Sequence, residues 1–209
     1  MIGIPAGIIA LRLADRIIGY KCCQKNIENK RNLLSVRKWN FIFAGISTIL
    51  WALAGLVIDK PYIALILALF FSMAIMISII DLSIHIIPNE LVLAMIALGV
   101  LFQLLYFDWK SLLIAIGCLL GLMGIFAGLA AIIGFDKVGA GDVKLAGAMG
   151  LVLGYPYILT AVFVMSVAML VYCVIGIFIG KLSLVSMFPY GPFLMIGMAF
   201  GLLSIFFVI

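Results

Sequence analysis

The sequence predicts an all-α, polytopic transmembrane helical bundle of about eight spans, one of them short. Three observations predict it. Hydrophobic residues make up 67% of the 209 residues, with a mean hydropathy of +1.41. Charged residues make up only 10%, far below what the surface of a water-soluble domain requires. The apolar runs approach the roughly 20 residues that cross a bilayer, and charged or Pro/Gly breaks separate them.

Cutting the chain at those breaks places the spans in order. The first runs from Ile2 to Ile18, the second from Phe41 to Ile58, the third from Tyr62 to Ile80 and the fourth from Leu91 to Phe107. The fifth runs from Ser111 to Phe135, the seventh from Tyr157 to Ile179 and the eighth from Phe193 to Val208. The sixth, Val143 to Leu153, is too short to cross as an ideal helix and must tilt, thin the membrane or extend through its turns. No signal peptide is expected, because no charged n-region or cleavage site precedes the first loop. The whole of 1–209 reads as one membrane domain with a short basic loop at 21–38.

Basic residues set the expected orientation, since cytoplasmic loops retain them. Lys21, Lys25, Lys30, Arg31, Arg37 and Lys38 fall in one loop. With that loop cytoplasmic and the spans alternating, Arg12, Arg16, Lys137, Lys144 and Lys181 fall on the same side, leaving only Lys60 and Lys110 opposite. The formal charge of +5 is therefore a matter of topology. Basic residues do not form a nucleic-acid-binding face, and nucleic acid is not an expected partner. Cys22 and Cys23 are adjacent and Cys118 and Cys173 lie in apolar segments, so neither a disulfide framework nor a zinc site is expected.

Against this background two carboxylates stand out. Asp81 follows the third span and Asp142 the fifth, so both leave the membrane on one face. An ionisable group at membrane depth costs roughly 2.5 to 3.5 kcal/mol even on the insertion scale, so each should face protein or a water-filled cavity. Two carboxylates brought together share one proton near neutral pH. Such a pair activates water: the ionised member takes its proton while the protonated member donates to a peptide carbonyl. Gly139 and Gly141 flank this chemistry in Gly139-Ala140-Gly141-Asp142, where they permit a sharp turn and close approach of a substrate strand. After Asp81, Pro88 stops a helix and Asn89 is placed to cap the next.

Three blocks resemble the type IV prepilin peptidases, integral-membrane aspartic proteases of the Gly-x-Gly-Asp class. Asp81-Leu82 followed by Ile87-Pro88-Asn89 is similar to the family's first catalytic block. Gly139-Ala140-Gly141-Asp142-Val143-Lys144-Leu145 matches its Gly-x-Gly-Asp-x-Lys-Leu block, and Pro189-Tyr190-Gly191-Pro192-Phe193-Leu194 resembles its late block. The resemblance implies that Asp81 and Asp142 are the catalytic pair, acting without metal or cofactor. It implies cleavage of the basic leader from prepilins or pseudopilins at the cytoplasmic face of the bacterial cytoplasmic membrane. Lys144 is then a candidate to bias ionisation or hold substrate, with snorkelling to the interface as the alternative. Pro189, Gly191 and Pro192 shape the cavity, and His85, the sole histidine, is read as a loop or interface residue.

Longer members of that family carry two Cys-x-x-Cys pairs for zinc between the first two spans and also methylate the new N-terminus. The short loop here has only Cys22-Cys23, which argues against methyltransferase activity. It can still meet anionic lipid through its lysines and arginines. Two alternatives remain in view. Signal-peptide-peptidase-type Gly-x-Gly-Asp proteases pair a Tyr-Asp block with a late Pro-Ala-Leu, whereas here Ile80 precedes Asp81. A proton or cation transporter would place its acids nearer the bilayer midplane. The glycines at 117, 121, 124 and 128, and the pairs Gly150/Gly154, Gly176/Gly180 and Gly197/Gly201, read as helix-packing seams.

Overall fold

The computed structural model describes residues 3–25, 37–58, 60–133, 139–179 and 190–207. Among them the chain is all helical: α1 (Gly3–Lys25), α2 (Arg37–Val57), α3 (Pro61–Ile84), α4 (Asn89–Tyr106), α5 (Trp109–Ile133), α6 (Ala140–Leu153), α7 (Tyr157–Phe178) and α8 (Gly191–Phe207). α3, α4, α5 and α7 are long and apolar enough to cross a membrane. Gly45–Val57 and Gly191–Phe207 are shorter apolar segments. The protein is a polytopic helical membrane bundle. α1 is not among the four long apolar helices. It runs to Lys25, and Arg12, Asp15 and Arg16 lie exposed along its middle instead of at its end.

α3 is the axle. Its most apolar window is 67% buried, against 11% for α7, so one is wrapped by protein and the other lies at the periphery. A helix apolar on every side is expected in such a position. Pro61 starts α3 at a position where its missing N–H is no loss, and the Lys60 carbonyl accepts from Ile63 and Ala64. α1, α2, α4 and α8 pack around α3, and Trp51 of α2 donates its indole N–H to the Ser72 hydroxyl at 3.0 Å. At its far end α3 continues past Asp81, where a break had been predicted. The His85 N–H reaches the Asp81 carbonyl at 2.9 Å, and His85 then leaves the helix in a left-handed conformation (φ 50, ψ 38).

α6 is the short helix that the sequence predicts, and it is pinned along its length. A Cβ on Gly147 would meet the Met123 side chain at 2.5 Å, and one on Gly150 would meet the Cys118 carbonyl oxygen at 2.8 Å. Helix α5 therefore packs backbone-close. On the other side a Cβ on Gly99 of α4 would stand 3.0 Å from Val152. At the C-terminal end, buried Gln103 of α4 donates to the otherwise unpaired carbonyls of Leu151 and Val152, each at 3.1 Å. The chain then turns at Gly154 (φ 63, ψ −177), backbone that only glycine adopts readily.

The predicted seams divide. Gly150, Gly154, Gly197 and Gly201 meet neighbouring atoms, as helix packing requires. Gly117, Gly121, Gly124 and Gly128 do not: a Cβ at any of them would find nothing within 4 Å, and all four are exposed. α5 uses a different face, through Cys118, Leu122 and Met123, to pack on its neighbours. Gly180 lies outside the described residues.

Candidate active site

Asp81 stands one turn before the end of α3 and Asp142 in the first turn of α6. They are two of the four polar or charged side chains buried among the described residues, at 4% and 9% exposure. Both line a cleft of about 650 Å³ together with His85, Ile86, Ile87, Asn89, Gly139, Ala140, Gly141, Lys144 and Lys21. The fold thus brings one carboxylate from the end of a helix and one from the start of another to a single cavity.

Each carboxylate is held by a backbone donor. The Gly191 N–H, at the start of α8, donates to Asp81 Oδ2 at 2.8 Å. The Gly139 N–H donates to Asp142 Oδ2 at 3.1 Å, while the Asp142 N–H donates to the Gly139 carbonyl at 2.9 Å. Asp142 therefore caps its own helix, and a negative charge there meets the positive end of the helix dipole. Burial, and then the charge of Asp81, nevertheless push the Asp142 carboxyl up to about 6, against the Gly139 hydrogen bond. Burial, then the Asp142 charge and Cys173, raise the Tyr190 hydroxyl as well.

The glycines serve a different purpose from the turn that the sequence suggests. Gly139 has φ −67 and ψ 142, open to any residue, and Gly141 is already helical. Space is what they supply. A Cβ on Gly139 would stand 3.2 Å from Asp142 Oδ2, and one on Gly141 would stand 3.0 Å from Ile87 Cβ. Gly191 is tightest, since its Cβ would lie 2.7 Å from Asp81 Oδ2.

The remaining predicted residues divide by position. Asn89 does not cap α4. Pro88 holds that place, its carbonyl accepting from Leu91 and Val92. Asn89 Oδ1 instead accepts from Lys144 Nζ at 3.1 Å, tying α4 to α6 at the rim of the cleft. Pro88 is buried behind the cleft. Pro192 occupies the first turn of α8, where no N–H is required of it, with the Tyr190 carbonyl accepting from Phe193 and Leu194. Pro189 lies outside the described residues, as does most of the basic loop, 26–36. Sequence reasoning missed Lys21, assigned to that loop. It is helical, lines the cleft and pairs with Glu90 at 2.9 Å. Among the described residues no three His, Cys, Asp or Glu side chains are grouped to hold a metal.

Fold and site together define an integral-membrane protein with two buried carboxylates lining one cleft. Residues 68–174, just over half of the chain, match the model of the Type IV leader peptidase family, and the chain belongs to that family. It is a leader-peptidase-like protease of the membrane. The match includes Asp81, Asp142 and Lys144 and ends before Gly191. No curated protein and no solved structure matches the chain.

Proposed function

We propose that this protein is an aspartic endopeptidase that removes the basic leader from type IV prepilins or pseudopilins, with Asp81 and Asp142 as its catalytic pair. The observation that carries the reading is the placement of the two buried carboxylates in one cleft. Asp142, pushed up to about 6, suits the role of holding the shared proton, which leaves Asp81 as the ionised member.

In that mechanism Asp81 takes a proton from a water as its oxygen attacks the scissile carbonyl carbon, and Asp142 donates a proton to the carbonyl oxygen. The resulting gem-diol collapses: one hydroxyl returns a proton to Asp142, the C–N bond breaks, and Asp81 gives its proton to the leaving nitrogen. The pair ends with the single proton where it began. The bias of basic residues supports a cleft on the cytoplasmic side of a bacterial cytoplasmic membrane.

The test is co-expression with a candidate prepilin, reading leader removal by gel shift and N-terminal mass. Wild type should cleave, and Asp81→Asn and Asp142→Asn should each lose cleavage while still inserting, because an amide cannot exchange the proton. Equal cleavage by all three ends the two-carboxylate mechanism. The same mass reports any N-methyl group, and an unmethylated product is expected.

A further inference from the structure

A second cavity of about 300 Å³ begins where the cleft ends. It is lined by Val92, Leu93 and Ile96 of α4 and Leu119 and Met123 of α5, and it shares Asn89 and Lys144 with the cleft. We propose that this groove seats the apolar helix that follows the leader in the substrate, so that the substrate docks laterally between α4 and α5. The proposal rests on the leader-peptidase reading and adds to it the place where the retained part of the substrate lies.

The architecture makes the groove. α4 and α5 run antiparallel from a short link at Phe107 and Asp108. Counted from that link, Ile96 and Leu119 stand at matching heights, as do Val92 and Met123, and all four line the groove. Both helices pack on α6, by way of Gly99 on one side and Gly147 and Gly150 on the other. The two are thus held apart on a common support, with a slot left between them. Leu93 forms its lip, 68% exposed in a chain whose membrane-facing surface must meet lipid or another helix. Packing apolar side chains spaced three and four residues apart into such a slot is the usual way a groove takes a helix.

The order of polarity singles out the occupant. From the two carboxylates the surface passes to the Lys144–Asn89 bond and then to five apolar side chains. A leader-bearing substrate has the same order: a polar leader, the bond to be cut and an apolar helix. With the scissile bond at the carboxylates, the helix that follows it leaves along the groove, and Lys144 and Asn89 mark the boundary.

The test uses a synthetic peptide with a short Lys/Arg-rich leader joined to an apolar helix of about 20 residues, in lipid vesicles containing the full-length protein. A photoreactive phenylalanine derivative replaces Leu93, or Phe163 on peripheral α7 as the control, also exposed at 69%. Irradiation should give an adduct from position 93 and not from 163. Adducts from both alike, or none from 93, overturn the proposal. Combining the position-93 probe with Asp142→Asn separates the two readings. A retained adduct with cleavage lost supports both. A retained adduct with cleavage intact sinks the carboxylate mechanism and leaves the groove standing. As a second readout, Leu93→Trp with Ile96→Trp should raise KM about tenfold for the helix-bearing peptide and by far less for a peptide whose leader is followed by a short polar segment in place of the helix. Equal loss on both substrates argues against the groove.

Discussion

Gly191→Ala tests the site at its narrowest point. The added methyl would stand 2.7 Å from Asp81 Oδ2 and 3.0 Å from both Asp81 Cβ and Cγ, and none of these atoms is the end of a long flexible chain. Asp81 is 4% exposed and has little room to retreat. Relief therefore requires the start of α8 to back away, and with it goes the 2.8 Å hydrogen bond from the Gly191 N–H. A hydrogen bond to a charged group contributes about 1.5 to 3 kcal/mol. In the proposed mechanism that bond acts before the transition state, by keeping Asp81 the ionised member of the pair; its loss shifts the shared proton toward Asp81 by roughly 10- to 150-fold and lowers kcat by up to about that factor. The assay is cleavage of a leader-bearing peptide in vesicles, followed by mass, with thermal unfolding measured alongside. Gly121→Ala is the matched control, since a Cβ there meets nothing within 4 Å. Gly191→Ala at full activity, or the two variants equally impaired, would refute the reasoning that the Gly191 backbone holds Asp81.

Further predictions address the other contacts. Because Asp142 holds its proton up to about pH 6, the pair becomes doubly ionised above that value and loses its acid. The kcat/KM profile should therefore have its alkaline limb near pH 6, and a profile flat from about pH 5 to about 8 would contradict the assignment. The same shift has a stability consequence. The folded state binds more protons than the unfolded one between the ordinary value of 3.8 and about 6, so stability should fall as pH rises through that window. Denaturation midpoints against pH test the sign. Lys144→Ala should cost about 0.5 to 1.5 kcal/mol by freeing Asn89, a few-fold in rate, and Asn89→Ala combined with it should add almost nothing. Additive losses would mean that the two residues act separately. Gln103→Leu leaves the last α6 carbonyls unpaired in a buried place and should destabilise by about 1 to 3 kcal/mol, read from thermal unfolding.

The eight helices, the shortness of α6 and the common location of Asp81 and Asp142 were legible in the sequence, because hydropathy and charge alone mark where helices start and stop. What was not legible depended on contacts between distant segments. Asp81 looked like a helix end since a carboxylate interrupts an apolar run, yet α8 covers it and the helix continues. Asn89 had the chemistry of a cap, but Lys144, on another helix, takes its oxygen. Gly139 and Gly141 suggested a turn, and only the packed structure shows that they make room for a carboxylate and for Ile87. The stripe on α5 had the spacing of a seam without a neighbour to meet it among the described residues. Spacing defines a helix face but not its partner.

The bond from Gly191 to Asp81 joins residues 110 apart in the sequence. During synthesis α3 leaves the ribosome long before α8, and until α8 has inserted nothing supplies that donor or covers that carboxylate. From residue 142 until α8 is made, the nascent chain thus carries both acids while Asp81 still lacks its backbone donor. If the pair is catalytic, proteolytic competence arrives only with α8, the last of the described helices.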